Sequence, residues 1–249
     1  MALVTGSTEG IGRAIAVKLA ENGADIALNG RRPEKGEGVI REIGKLGRKA
    51  ILERADINIW LEVKQMVAKV LSRLGKIDIL VTSGGRPHHA PAFFHEFDPE
   101  SYTDWVKSQW LNRLYCVRAV LDHMIERKWG KILMLTTDAG RWPTPGESLV
   151  GGSAAGLVLA TKVLASELAR WGIRINTISL TVTRDTPALE EILSSDSSAA
   201  KVFRKALERQ PFPVYAKDVA EAALFLVSDD SNAITGQILS VNGGLCFPG

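Results

Sequence analysis

The sequence predicts an α/β fold, a doubly wound, Rossmann-like parallel sheet of seven strands with helices on both faces. Three observations predict it. Short apolar runs of strand length alternate with segments whose apolar residues recur at helical spacing, from residue 2 to residue 241. The early connections between them are short, so each strand–helix–strand unit closes as a right-handed crossover. The chain has 249 residues, 45% hydrophobic and 24% charged, an ordinary globular composition at a size that one doubly wound sheet can organise. Residues 1–249 are therefore expected to form a single domain.

In order, the apolar run 2–4 reads as the first strand, and 11–22 as a helix with Ile11, Ala14, Ile15, Val17, Leu19 and Ala20 at helical spacing and Gly23 as its stop. Residues 26–28 form the second strand, 34–46 a helix interrupted by Gly36, Gly38 and Gly44, and 50–52 the third strand. The stretch 59–74 is amphipathic, with Leu61, Val63, Met66, Val67, Val70 and Leu71 apolar and Gly75 ending it. A buried fourth strand, 77–81, leads to Thr82, Ser83, Gly84 and Gly85 and a loop bearing His88 and His89. Residues 100–128 are expected to be one long helical region, and 131–135 the fifth strand. A turn with Pro143, Pro145 and Gly146 precedes a helix over 150–170 whose middle, 154–160, carries no charge. A helix apolar all round is buried on every side, so one face is expected on the sheet and the other on a partner, in a homodimer or homotetramer. The sixth strand is 173–178. In 181–215, two short helical patterns flank the polar residues 194–198, which fits a lid over a pocket or a plain surface insertion. A last helix, 218–226, and a seventh strand, 237–241, complete the chain.

Composition removes several classes. A net charge of +3 with interspersed signs offers no basic field for nucleic acid. No apolar run reaches membrane-spanning length and no export signal precedes the first strand, so no membrane partner and a cytoplasmic location are expected. Cys116 and Cys246 fit neither a disulfide framework nor a zinc site, and the adjacent His88 and His89 lack helical metal spacing; no metal is expected.

Residues 5–12, Thr-Gly-Ser-Thr-Glu-Gly-Ile-Gly, sit where the first strand turns into the first helix. Glycines there allow a tight turn, close approach of backbone N–H groups to a pyrophosphate, and close helix–strand packing. The second strand ends at Asn29-Gly30-Arg31-Arg32, about twenty residues on, where an Asp or Glu would bond the 2′-hydroxyl of NAD and an Arg favours a 2′-phosphate. NADP is therefore the expected cofactor, with NAD the alternative. Two readings oppose this: Arg31 and Arg32 as a solvated turn, and Glu9 as a charge repelling a nearby phosphate.

Over essentially its whole length the chain resembles the short-chain dehydrogenase/reductase family. Residues 5–12 match its Thr-Gly-x-x-x-Gly-x-Gly cofactor motif, Asp56 stands at its adenine-contacting Asp, and Thr82 to Gly85 stand at its Asn-Asn-Ala-Gly motif with only the last glycine kept. Ile-Thr-Gly-Gln at 234–237 and Asn-Gly-Gly at 242–244 are similar to its C-terminal signature. The resemblance implies a dinucleotide site formed by Gly6, Ser7, Thr8, Gly10, Ile11, Gly12, Arg31, Arg32, Asp56, Ile57, Ser83, Gly84 and Gly85, and hydride transfer to or from a small carbonyl, enone or alcohol.

The family's catalytic Ser, Tyr-x-x-x-Lys pair and Asn are replaced here. Thr137 keeps a hydroxyl at the Ser position, but Val150 stands for Tyr, Ala154 for Lys and Gln109 for Asn, with Asn112 one turn away. In the family, Tyr exchanges the proton on oxygen while Lys lowers its pKa and bonds the nicotinamide ribose. Three readings follow. The first is an oxidoreductase with a rebuilt proton donor, in which Thr137 polarises the carbonyl and His88, His89, Asp138 or Ser153 handles the proton. The second is a catalytically inactive NAD(P)-binding sensor or oligomer partner. The third is chemistry without a cofactor.

Overall fold

The computed structural model describes residues 1–85 and 92–249. Its strands are β1 (Ala2–Val4), β2 (Ile26–Gly30), β3 (Ala50–Arg54), β4 (Ile79–Thr82), β5 (Gly130–Thr137), β6 (Ile173–Leu180) and β7 (Ile238–Val241). Among the described residues they form one seven-stranded sheet in the order β3-β2-β1-β4-β5-β6-β7, every pairing parallel. The doubly wound sheet read from the sequence is the one observed. Its order reverses between β1 and β4, and a ligand crevice belongs at the carboxyl ends of those two strands.

The helices are α1 (Gly10–Glu21), α2 (Glu37–Lys45), α3 (Trp60–Leu74), α4 (Tyr102–Val106), α5 (Asn112–Arg127), α6 (Ser148–Leu168), α7 (Pro187–Leu193), α8 (Ser198–Arg209) and α9 (Ala216–Val227). On one face α3, α5 and α6 bring Val63, Met66, Val120, Met124, Leu157 and Leu168 against the sheet. On the other, α1, α2 and α9 bring Ile15, Leu19, Ile43, Val219 and Leu226. Covered on both faces, β1 is apolar and buried at every position rather than alternating. Below the sheet, the Asp78 carboxylate accepts from the Met1 ammonium (2.8 Å) and Arg127 (2.6 Å) and pairs with Lys76 (3.0 Å).

The single helix expected over 100–128 is divided. A 3₁₀ turn (Pro99–Ser101) leads into α4, and a π-helical segment (Lys107–Leu111) joins α4 to α5. A π turn inserts a residue and breaks the i→i−4 pairing. The Ser108 carbonyl there accepts instead from Asn112 Nδ2 (2.7 Å) and Arg113 Nη1 (2.9 Å).

Helix α6 starts at Ser148, ahead of the expected residue 150. Contrary to the sequence reading, Ser148–Trp171 is long and apolar enough by composition to cross a membrane. It is instead the crossover from β5 to β6, with Ala154, Leu157, Thr161, Ala165 and Leu168 buried. Its outer side exposes Leu159 and Val163.

Candidate active site

The turn from β1 to α1 is built from backbone packed on backbone. Gly6 and Gly10 hold φ of +57° and +56°, a region that disfavours side chains. A Cβ on Gly6 would lie 2.7 Å from Gly84 Cα, and one on Gly12 2.3 Å from the Gly6 carbonyl oxygen. Thr5 locks the two loops together: its hydroxyl donates to Ser83 O (2.7 Å) and accepts from Ser83 N (3.0 Å). Ser7 is buried beneath the turn, its hydroxyl donating to Val4 O (2.6 Å) and accepting from Asn29 N (3.0 Å). Its N–H donates to Asn29 O (2.9 Å), so Ser7 holds the cradle and does not face the cleft.

Asn29 acts as the tie between strands. Its Oδ1 accepts from Gly6 N (3.3 Å) and its Nδ2 donates to Glu53 O and Ala55 O (both 3.2 Å). The sequence reading took from this position only the missing carboxylate. A buried amide closing an apolar strand was the signal of its structural role.

At the end of β2, Arg32 lies 3.7 Å from Glu9, Lys35 forms an ion pair with the same carboxylate, and Arg31 is 4.0 Å from Asp56. Glu9 is thus paired with two cations and does not stand as a bare negative charge beside the cradle. Asp56 is also anchored locally, its carboxylate accepting from Asn58 N (3.0 Å).

A cleft of about 590 Å³ runs from this basic corner across the ends of β1 and β4. It is lined by Gly6, Thr8, Gly10, Ile11, Gly12, Arg31, Arg32, Asp56, Ile57, Ser83, Gly84 and Gly85, all named from the sequence. Trp105, Gln109, Arg113, Glu147 and Val150 line it as well. So do Thr186, Pro187, Ala188, Glu191 and Ile192 of the 181–215 segment. That segment therefore borders the cleft, and its α7 starts where Thr186 Oγ1 accepts from Leu189 N (3.4 Å).

The expected catalytic residues are less well gathered. Thr137 Oγ1 accepts from Ala139 N (3.2 Å), which leaves its O–H free to donate, but Thr137 does not line the cleft. Ser153 is buried on α6 and does not line it either. Asp138 is excluded as a proton relay by its partners: Arg141 Nη2 (2.9 Å), Ser240 Oγ (2.7 Å) and Asn242 Nδ2 (2.9 Å) tie it to the C-terminal segment. His88 and His89 lie outside the described residues. Among the described residues no group of His, Cys, Asp and Glu side chains is placed to hold a metal.

Gln109 faces the cleft and donates to Gly85 O (3.3 Å), while Asn112 is buried with its Nδ2 on Ser108 O (2.7 Å). Arg113 and Glu147 were not singled out from the sequence. Arg113 is buried, with Nε on Leu135 O (2.7 Å) and Nη1 on Ser108 O and Asn112 Oδ1 (2.9 and 2.8 Å). Burial lowers its guanidinium to about 10, still charged at neutral pH. A lone Arg among Trp110, Leu114 and Val117 was a usable signal. Glu147 lies in a Pro- and Gly-rich turn, where a carboxylate attracts no notice. Its carboxyl is pushed up to about 7 by burial.

A glycine cradle at the switch point of a doubly wound sheet, with a basic corner beside it and a cleft running across the strand ends, defines a dinucleotide-binding domain. The chain belongs to the short-chain dehydrogenase/reductase family of NAD(P)-dependent oxidoreductases. Residues 6–246 match the family described as enoyl-(acyl carrier protein) reductase. The chain is 32% identical over 249 residues to the 3-oxoacyl-(acyl-carrier-protein) reductase of Staphylococcus epidermidis, covering 98% of each. It is also 32% identical over 252 residues to the hydroxy(phenyl)methylsuccinyl-CoA dehydrogenase subunit BbsD of Thauera aromatica, covering 98% of this chain and 95% of that one. Among solved structures, a variant of actinorhodin polyketide ketoreductase with NADPH superposes with a TM-score of 0.88 at 31% identity, over 98% of this chain and 96% of that one.

Proposed function

We propose that the protein transfers hydride between NADP and a small carbonyl, enone or alcohol through a non-standard active site, with NAD as the alternative cofactor. One observation carries the reading: the complete cradle opens into a cleft whose lining includes a fixed cation, Arg113, and the hydrogen-bonding side chains of Gln109 and Glu147. The cradle fits a dinucleotide, because a side chain at Gly6 or Gly12 would fill the space where backbone closes on backbone.

In this reading the N–H groups at the start of α1 hold the pyrophosphate, and Arg31 and Arg32, with Lys35 beside them, hold the 2′-phosphate. Asp56 and Ile57 flank the adenine. When bound, the nicotinamide supplies or accepts the hydride. Val150 cannot carry a proton, and Ala154, 2% exposed, cannot reach a ribose. Arg113 has no hydrogen bond on Nη2 among the described residues, and it supplies the positive charge that Ala154 lacks. In this reading Thr137, whose Oγ1 accepts from Ala139 N, turns its O–H to polarise a carbonyl. The exposed face of α6, with Leu159 and Val163, takes a second copy of the chain, giving a homodimer or homotetramer in the cytoplasm.

Val150 and Ala154 favour a second reading, a family member that binds dinucleotide without turnover. Titration with NADPH and NADH, followed by cofactor absorbance against ketones, enones, imines and a 3-oxoacyl thioester, separates the two. Turnover that falls in Thr137→Ala supports the first. Binding without turnover, unchanged in His88→Ala/His89→Ala, selects the second, and failure to bind either nucleotide refutes both.

A further inference from the structure

We propose that the carboxyl of Glu147 is the proton donor of this site, giving the substrate's carbonyl oxygen the proton that Val150 cannot carry. The inference rests on the oxidoreductase reading above and names its missing acid.

Glu147 stands immediately before α6, and both it and Val150, three residues on, line the cleft with Gln109 and the Ser83–Gly85 backbone. Its main chain is clamped: the N–H donates to Thr144 O (3.2 Å) and the carbonyl accepts from Gly151 N (2.6 Å). A carboxylate at a helix start can be held by the free N–H groups of the first turn. That of Glu147 is not: its side chain makes no capping bond to α6.

No hydrogen bond or ion pair holds this carboxyl among the described residues, whereas Glu53, Asp78 and Asp138 are all paired. Leaving a half-buried acid without a partner is costly, and the group responds by staying protonated. Besides Glu147, the titratable groups lining the cleft among the described residues are Glu9, Arg31, Arg32, Asp56, Arg113 and Glu191, and burial rather than any of these raises the carboxyl to about 7. An acid titrating there is present in both forms at neutral pH, the condition for efficient proton transfer in either direction.

The step balances. Hydride from a reduced nicotinamide dinucleotide forms the new C–H bond, and the C=O π pair moves onto oxygen. That oxygen bonds to the Glu147 proton. The pair from the broken O–H bond stays on the carboxylate, which water at the cleft mouth reprotonates.

The test compares wild type, Glu147→Gln and Glu147→Asp, as full-length protein with NADPH and a ketone that the wild type reduces. Glu147→Gln is expected to keep NADPH affinity within about twofold and to lower kcat by about 10²- to 10⁴-fold with KM little changed, while Glu147→Asp retains an intermediate rate. The acid must be protonated to act, so wild-type kcat for reduction falls as pH rises through about 7, and Glu147→Gln loses that dependence. Independently of turnover, carbon NMR of protein labelled at glutamate carboxyls should show one resonance titrating near neutrality, absent in Glu147→Gln. Wild-type kcat and pH profile in Glu147→Gln, or no glutamate carboxyl titrating near neutrality, overturns the inference alone. Failure of the wild type to bind NADPH or to reduce any ketone overturns the oxidoreductase reading and this inference with it.

Discussion

Replacing Gly12 with Ala tests the cradle at its tightest point. The added Cβ would meet the Gly6 carbonyl oxygen at 2.3 Å, the Gly6 carbonyl carbon at 2.8 Å and Ser7 Cα at 3.1 Å, where ordinary contact begins at 3.4 Å. All three neighbours are backbone, so no side chain can rotate away, and the turn or α1 must move by about 1 Å to relieve the worst contact. The turn is pinned by Gly6 N on Asn29 Oδ1 (3.3 Å), Ser7 N on Asn29 O (2.9 Å) and Thr5 on Ser83, so the shift spreads to β2 and the loop after β4. Overpacking of this kind costs about 1–3 kcal/mol of stability. Displacing binding groups by about 1 Å costs on the order of 100-fold where geometry is critical. Gly38→Ala is the control: no atom lies within 4 Å of its Cβ, it is inside α2, and its φ is not positive. It should gain about 0.4–1 kcal/mol by restricting the unfolded chain, raising Tm by a few degrees at this chain length. NADPH titration by fluorescence and thermal melts read both variants. Wild-type NADPH affinity in Gly12→Ala would refute the reasoning.

Three further outcomes are expected. Burial works to raise Asp78, but hydrogen bonds from the Met1 ammonium, Arg127 and Lys76 outweigh it and hold the carboxyl at about 2 rather than 3.8. A depressed acid contributes stability that is full above pH 3.8 and lost as pH falls toward 2, here about 2 kcal/mol; urea unfolding of Asp78→Asn should show that loss at pH 7 and a flatter acid limb. Arg31→Ala/Arg32→Ala should weaken NADPH by roughly 10- to 100-fold and NADH little, since charge-assisted bonds are worth about 1.5–3 kcal/mol; an equal loss for both nucleotides in parallel titrations would show that the arginines do not read a 2′-phosphate. Arg113→Met removes a buried cation together with its bonds to Leu135 O, Ser108 O and Asn112 Oδ1, and a buried acceptor left unsatisfied costs about 1–3 kcal/mol; Tm should fall by several degrees, ketone reduction by the folded protein should fall while NADPH affinity holds, and unchanged reduction would deny Arg113 a part in the site.

The fold was legible because a parallel sheet writes itself into sequence twice, as apolar runs for the strands and as a helical period for the crossovers. The glycines of residues 5–12 were legible because backbone contact admits no other residue. Side-chain direction was not. The motif names Ser7 but cannot say that its hydroxyl points down to Val4 and Asn29. The break at Lys107–Leu111 escaped because helical periodicity does not register a π turn, here accompanied by local side-chain bonds from Asn112 and Arg113 to Ser108 O. Glu147 and Arg113 escaped for a topological reason. They lie on opposite sides of β5 in the chain, and only the folded sheet brings both to one cleft.

If Val150 and Ala154 stand at the family's Tyr and Lys positions, as the resemblance implies, α6 lacks a proton carrier and a cation, yet an acid and a cation line the cleft. In the proposed reading the acid is Glu147, less than one turn from Val150 at the start of the same helix. In that reading the cation is Arg113 on α5, fixed by bonds to Leu135 O, Ser108 O and Asn112 Oδ1. Both are costly groups for a fold to keep. A buried guanidinium forgoes solvation worth several kcal/mol, which three hydrogen bonds of about 1.5–3 kcal/mol each can offset but an apolar side chain would never incur. An unpaired half-buried carboxyl stabilises nothing around it. A cradle that only held a dinucleotide would need neither group. That both line one cleft is the ground on which the proposed oxidoreductase reading, with its catalytic charges redistributed, is preferred to the simple loss of function.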